Sequence, residues 1–185
     1  MDLEEAIYTR RAVRHYTGEP VDENTIEHLI RAAIQAPSAV NEQQWSFCIV
    51  RDKALLAKLS RESKAYMLNN LPEGPAAAHF QQLLSDPNFD IFYHAPVLAV
   101  ISNKVESPWA VEDCSLAAEN FMLAARAAGL GTCWIGFAQK WLGTREGKAA
   151  LGIPDTYVPV APLIVGHPAS EPPPVPRKEP EIRWT

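Results

Sequence analysis

The chain has 185 residues, a mass of 20.5 kDa and a net charge of −5. An apolar share of 47% with 21% charged residues is that of a soluble globular chain and excludes global disorder. The acidic balance argues against a nucleic-acid binder, and no apolar run is long enough to span a membrane.

Residues 2–9 read as a short helix leading into Arg10, Arg11 and Arg14. From Asp22, an N-cap, apolar residues recur at Ile26, Leu29, Ile30, Ala33 and Ile34, a helical spacing that Pro37 ends. Trp45–Val50 predicts a strand, 54–68 a helix, 69–75 a turn-rich segment, and 76–85 a second helix. Pro96–Ile101 predicts a second strand. Ser107–Ala128 is the clearest helix, with Ser107 as cap and Pro108 at the first position. Val111, Cys114, Ala118, Phe121, Ala125 and Ala128 form one of its faces. Apolar residues on most sides predict burial, centrally or between subunits. Thr132–Phe137 predicts a third strand, Glu146–Leu151 a short helix and Val158–Val165 a fourth strand. Pro159 and Pro162 cannot donate to a ladder, so the fourth strand is expected at an edge or irregular at its start. The alternation predicts α/β or α+β with four or five strands.

Three widely spaced cysteines, Cys48, Cys114 and Cys133, show no metal spacing and read as buried reduced thiols of a cytoplasmic protein. The N-terminus lacks the order of a signal peptide. The five histidines are dispersed, and Ser38 lies on no nucleophile elbow, so hydrolase chemistry is weakly supported. Three arginines within five residues of an acidic chain favour a bound anion over solvated cations near a helix end. The loop Ala36–Trp45 (APSAVNEQQW) is ordinary turn chemistry or, with its polar donors beside an aromatic residue, the edge of a site for a flat heteroaromatic ligand. Gly129–Gly136 (GLGTCWIG) lacks dinucleotide-site spacing. It is a plain turn or a close backbone approach to a ligand, Gly136 leaving space. Nine of the sixteen prolines follow Ile153, six of them between Pro168 and Pro180.

In order and separation, RRAVRHY, APSAVNEQQW, NFDIFYHAPVLAVI, EDCSLAAENFMLAARAAGLGTCWIG, LGIPD and IVGHP resemble the FMN-dependent nitroreductase family along nearly the whole chain. The resemblance implies an α+β fold with a mostly antiparallel sheet flanked by helices, and an intertwined homodimer with FMN at its interface. Residues 1–170 would form one domain and 171–185 a proline-rich arm on the partner subunit. Arg10 and Arg11 would approach the FMN phosphate and ribityl chain, and Arg14 the pyrimidine edge of the ring. Pro37, Ser38, Asn41 and Gln43 would contact the ring, partly from the second subunit. Ile135 and Gly136 would lie beside the flavin N5, and Arg177 and Lys178 would add phosphate cations. Ala12 and Gln44 stand where the family usually has Ser and Pro. The implied activity passes hydride from NAD(P)H to a small electron-poor acceptor such as a nitroaromatic or quinone. Other flavin chemistry on the same fold is the alternative, or a flavin-binding protein whose pocket Tyr66, Phe80, Phe92 or Tyr93 closes.

Overall fold

The computed structural model describes every residue except Pro72 and Ala76, so the expected turn at the first and helix start at the second lie outside the described residues. In chain order it holds α1 (Leu3–Thr9), α2 (Glu23–Ala33), β1 (Trp45–Val50), α3 (Lys53–Asn69), α4 (Ala77–Ser85), β2 (Val97–Asn103), α5 (Ala110–Ala127), β3 (Gly131–Trp134), α6 (Gly136–Leu142), α7 (Arg145–Leu151) and β4 (Val158–Gly166). The strands form one sheet in the order β1-β2-β4-β3, each neighbouring pair antiparallel.

Short polar side chains set several helix starts. The Asp22 carboxylate accepts the Thr25 N–H at 2.9 Å, and Asp2, Asp52 and Thr144 cap α1, α3 and α7 in the same way. Ser107 does not cap α5. Its hydroxyl accepts the Trp109 N–H and its carbonyl the Ala110 N–H, both at 3.2 Å, closing a separate turn before the helix. The buried face of α5 runs through Ala110, Asp113, Cys114, Ala117, Ala118, Phe121, Met122 and Ala125, and Val111 is exposed.

The third strand ends at Trp134, three residues earlier than expected. Ile135 still donates its N–H to Pro162 at 2.8 Å, but the chain then turns into α6. Ala138, Trp141 and Leu142 are buried at helical spacing, so tertiary packing overrides the strand propensity there.

The expected edge position of β4 is incorrect, because β4 lies between β2 and β3. Its expected irregularity is present as a register shift opposite Ile101 and Ser102. Proline is tolerated inside the sheet because the Pro162 carbonyl faces the β3 side, and its nitrogen must face that way too. The β3 pairing ends at Leu163, so no ladder acceptor waits there for the missing donor.

Both sheet faces are covered. Val97, Ala99 and Ile101 pack with α2 and α5, while Leu98 and Val100 pack with α3 and α6. Two-sided burial explains why the strands read as continuous apolar runs.

Candidate functional site

Residues 11–13 run beside the β3 edge. Ala12 bridges Thr132 in parallel, and the Val13 N–H donates to the Thr132 carbonyl at 2.9 Å. Gly131 permits this approach, since a Cβ there would stand 2.6–2.8 Å from the Val13 side chain. The arginines therefore spread along the strand. Arg10 and Arg11 line a crevice with Gly131 and Thr132 at one end, and Arg14 lines a cleft with Cys133, Trp134, Ile135 and Gly136 at the other. A rise of about 3.3 Å per residue separates the two ends by roughly 13 Å.

At the first end, Arg10 Nε lies 3.4 Å from the Glu119 carboxylate, and Arg11 donates to the Arg10 carbonyl at 2.7 Å. Arg11 Nε is buried without a partner among the described residues. Arg126, which sequence reasoning missed, joins them. Its Nε donates to Thr9 Oγ1 at 3.0 Å, and its terminal nitrogen pairs with Glu171 at 3.2 Å. In sequence it looks like an ordinary cation in a helix's last turn.

At the second end, a cleft of about 330 Å³ is lined by Arg14, Met67, Ile91, Tyr93, Cys133, Trp134, Ile135, Gly136 and Phe137. The Ile135 N–H is spent on Pro162, whereas the Gly136 N–H lies in the first turn of α6, where no i−4 carbonyl exists. A Cβ on Gly136 would meet nothing within 4 Å. Met67 and Gly136 also border a larger groove of about 580 Å³, open to solvent and lined further by Tyr66, Gln139, Lys140, Gly143, Thr144 and Pro159. Of the residues expected to close a pocket, Phe92 is buried in the core, Phe80 packs edge-on to Phe137, and Tyr66 and Tyr93 line open clefts.

Burial pushes the Tyr16, Tyr93 and Cys133 groups near Arg14 upward in pKa, and the Arg14 cation partly opposes this. Burial likewise raises Cys48 and Cys114, so all three thiols are unreactive by environment.

The 37–43 loop stands elsewhere. It leads into β1, at the opposite edge of the sheet from β3, three strand spacings or about 14 Å away. Its shape is strained, with Val40, Asn41 and Gln43 at φ +43°, +58° and +54°. Ser38 Oγ accepts the Gln43 N–H at 3.0 Å, and the Gln43 amide donates to Asn41 at 2.8 Å. Asp113 anchors the loop: its carboxylate accepts the Ala39 N–H at 2.9 Å, and its carbonyl accepts Trp45 Nε1 at 3.1 Å. Within one chain Pro37, Ser38, Asn41 and Gln43 thus do not join Arg14 and Gly136. Arg177 and Lys178 are exposed on an irregular tail and contribute to neither cleft.

This antiparallel sheet enclosed by helices, with a cationic edge and an open cleft at its end, has the fold of solved nitroreductase structures. The structure matches an FMN-bound nitroreductase from Bacteroides fragilis with a TM-score of 0.80 and 26% identity, over 99% of this chain and 95% of that one. It matches a nitroreductase structure from Desulfitobacterium hafniense in fold, with a TM-score of 0.83 and 24% identity, over 100% and 99% of the two chains. A protein of Archaeoglobus fulgidus, provisionally named NADH dehydrogenase/NAD(P)H nitroreductase, is 34% identical over 165 residues, 89% of this chain and 84% of its own. The model of the Nitroreductase family matches residues 7–167, and the chain belongs to that family.

Proposed function

We propose that the chain is an FMN-dependent oxidoreductase that takes hydride from NAD(P)H and delivers it to a small electron-poor acceptor such as a nitroaromatic or quinone. One observation carries this reading: Arg10, Arg11 and Arg14 are strung along the β3 edge from a crevice to an open cleft at Gly136. The donor set suits FMN. Arg11 Nε, buried and unpartnered among the described residues, is a charged donor that a phosphate oxygen would satisfy.

Arg10 and Arg11 would hold the phosphate end, with Arg177 and Lys178 as further cations. Arg14 would face the pyrimidine edge, where a fixed positive charge favours the reduced, anionic ring. The Ile135–Gly136 segment would border the reactive ring atom, with the Gly136 N–H open to the cleft. FMN, when bound, supplies the hydride-carrying centre, so the chain needs no acid–base pair of its own.

The dimer belongs to the same proposal. The 37–43 loop of one subunit would reach the ring held by its partner, since its own Arg14 lies across the sheet. Residues 1–170 form the domain, and 171–185 form an arm that packs on the partner. An accessible surface of 10996 Å², against about 8,900 Å² expected for a compact monomer of this mass, supports this. So do exposed Trp109 just before α5, exposed Val111 and Leu116 on it, and exposed Ile182 and Trp184 on the arm. Free thiols and the lack, among the described residues, of a helix able to cross a membrane support a cytoplasmic protein.

Purified protein is expected to be yellow and to bleach anaerobically with NADH or NADPH. Bound FMN that neither nucleotide reduces would overturn the donor assignment, and a protein that binds no FMN would overturn the whole reading.

A further inference from the structure

Resting on that reading, we infer that the acceptor taken beside Gly136 is an aromatic molecule bearing an anionic group such as a carboxylate, which Lys140 receives. The 580 Å³ groove has the size of a small-molecule site and opens on the same Gly136 as the Arg14 cleft. Met67 and Pro159 give it apolar walls, against which a flat ring can pack. Lys140 is the one charged residue in its lining among the described residues.

The polar groups of the groove differ in what they have left to offer. The Thr144 hydroxyl is saturated, donating to the Trp141 carbonyl at 2.7 Å and accepting the Gly147 N–H at 3.1 Å. Lys140 has neither a hydrogen bond nor an ion pair among the described residues. Tyr66 and Gln139 line the same space, and neither side chain has a hydrogen-bond partner among the described residues.

The plain alternative is a solvated lysine that offsets the dipole in the last turn of α6. Lys140 is exposed, and what separates it from that case is its place on the rim of a ligand-sized open groove with no acidic lining among the described residues. A chain of net charge −5 repels anions at long range, so a local cation is needed to admit one.

The test compares 4-nitrobenzoate with neutral 4-nitrobenzyl alcohol in the FMN-loaded enzyme at saturating NAD(P)H. The wild type is expected to favour the carboxylate in kcat/KM by roughly two- to fivefold, the size of a partly exposed ion pair, with the preference shrinking as salt rises. Lys140→Gln is expected to bring the ratio towards one, and Lys140→Arg to keep it. Benzoate binding, read from the visible absorption of the bound flavin, is expected to weaken by the same factor in Lys140→Gln. Equal ratios and equal benzoate affinities in wild type and Lys140→Gln would overturn the inference. So would a raised KM for NAD(P)H in Lys140→Gln with the acceptor ratio unchanged, which would assign the lysine to the nucleotide phosphates. If the protein binds no flavin, the function proposed above fails separately. Calorimetric titration with benzoate against benzyl alcohol then decides whether the groove prefers anions.

Discussion

The guanidinium carbon of Arg14 lies 5.8 Å from the centroid of the Tyr93 ring, a cation held over an aromatic face at the mouth of the cleft. Tyr93 adopts φ +53° and His94 φ +58°, two successive side-chain-bearing residues in the left-handed region. Asp90 maintains this bend, its carboxylate accepting the Phe92 and His94 N–H groups, each at 3.0 Å. Asp90→Ala is expected to cost about 1–3 kcal/mol, read by urea denaturation. Arg14→Gln is expected to lower the midpoint potential of bound FMN, read by redox titration, because the charge facing the ring is gone.

Gly131 in the crevice and Gly136 in the cleft predict opposite outcomes. Gly131→Ala would drive a Cβ into Val13 and is expected to destabilise by about 1–3 kcal/mol while weakening FMN retention. Gly136→Ala meets open space and is expected to leave the melting temperature nearly unchanged. Its methyl group would stand at the cleft, so the expected loss is in turnover. Melting curves and steady-state rates of the two variants separate these effects.

Asp113 carries more than its place in a helix's first turn suggests. Asp113→Ala leaves the Ala39 N–H without its acceptor and is expected to cost about 1–3 kcal/mol. Val40, with a β-branched side chain at φ +43°, is strained and is 89% exposed within one chain, so its own subunit gives it no packing in return. Val40→Asn is expected to stabilise by about 0.5–1 kcal/mol, since asparagine tolerates this backbone region. Thermal denaturation of both variants checks the signs.

Burial, assisted by the neighbouring Asp113 charge, pushes the Cys114 thiol up to about 12. A thiol held neutral in the fold ionises sooner once unfolded. Its contribution to stability is therefore complete below pH 9 and lost between pH 9 and about 12. Native protein at pH 8 is expected to resist alkylation at Cys48, Cys114 and Cys133, whereas urea-unfolded protein reacts at all three. Mass spectrometry of the two samples reads this directly.

Removal of residues 171–185 is expected to weaken the dimer and FMN binding together. It takes away the exposed anchors Ile182 and Trp184 with Arg177 and Lys178. Sedimentation and flavin retention of the truncated protein measure the two losses. A stable dimer with full FMN content would exclude the arm from both roles.

Helices and strands whose residues bury one face or both were legible from residue order alone. Asp22 marks a helix start by local chemistry, and Trp45–Val50 and Val158–Val165 announce buried strands by unbroken apolar runs. The arginine cluster was legible too, because like charges crowded on an acidic chain call for an anion. Family membership followed from the order of whole segments. The place of β4 inside the sheet was not legible, because it depends on where β3 stops pairing beside Pro162. Nor were α6, Arg126 and Asp113, whose local patterns are those of a strand end, a helix-terminal cation and a surface acid. Only tertiary contacts place Arg126 beside Arg11, bury Asp113 under the 37–43 loop, and set Lys140 on the rim of a groove. Propensity and capping act over a few residues, so sequence expresses them directly. A cleft is assembled from residues as distant in the chain as Arg14, Met67 and Gly136, and only the folded chain brings them within reach of one molecule.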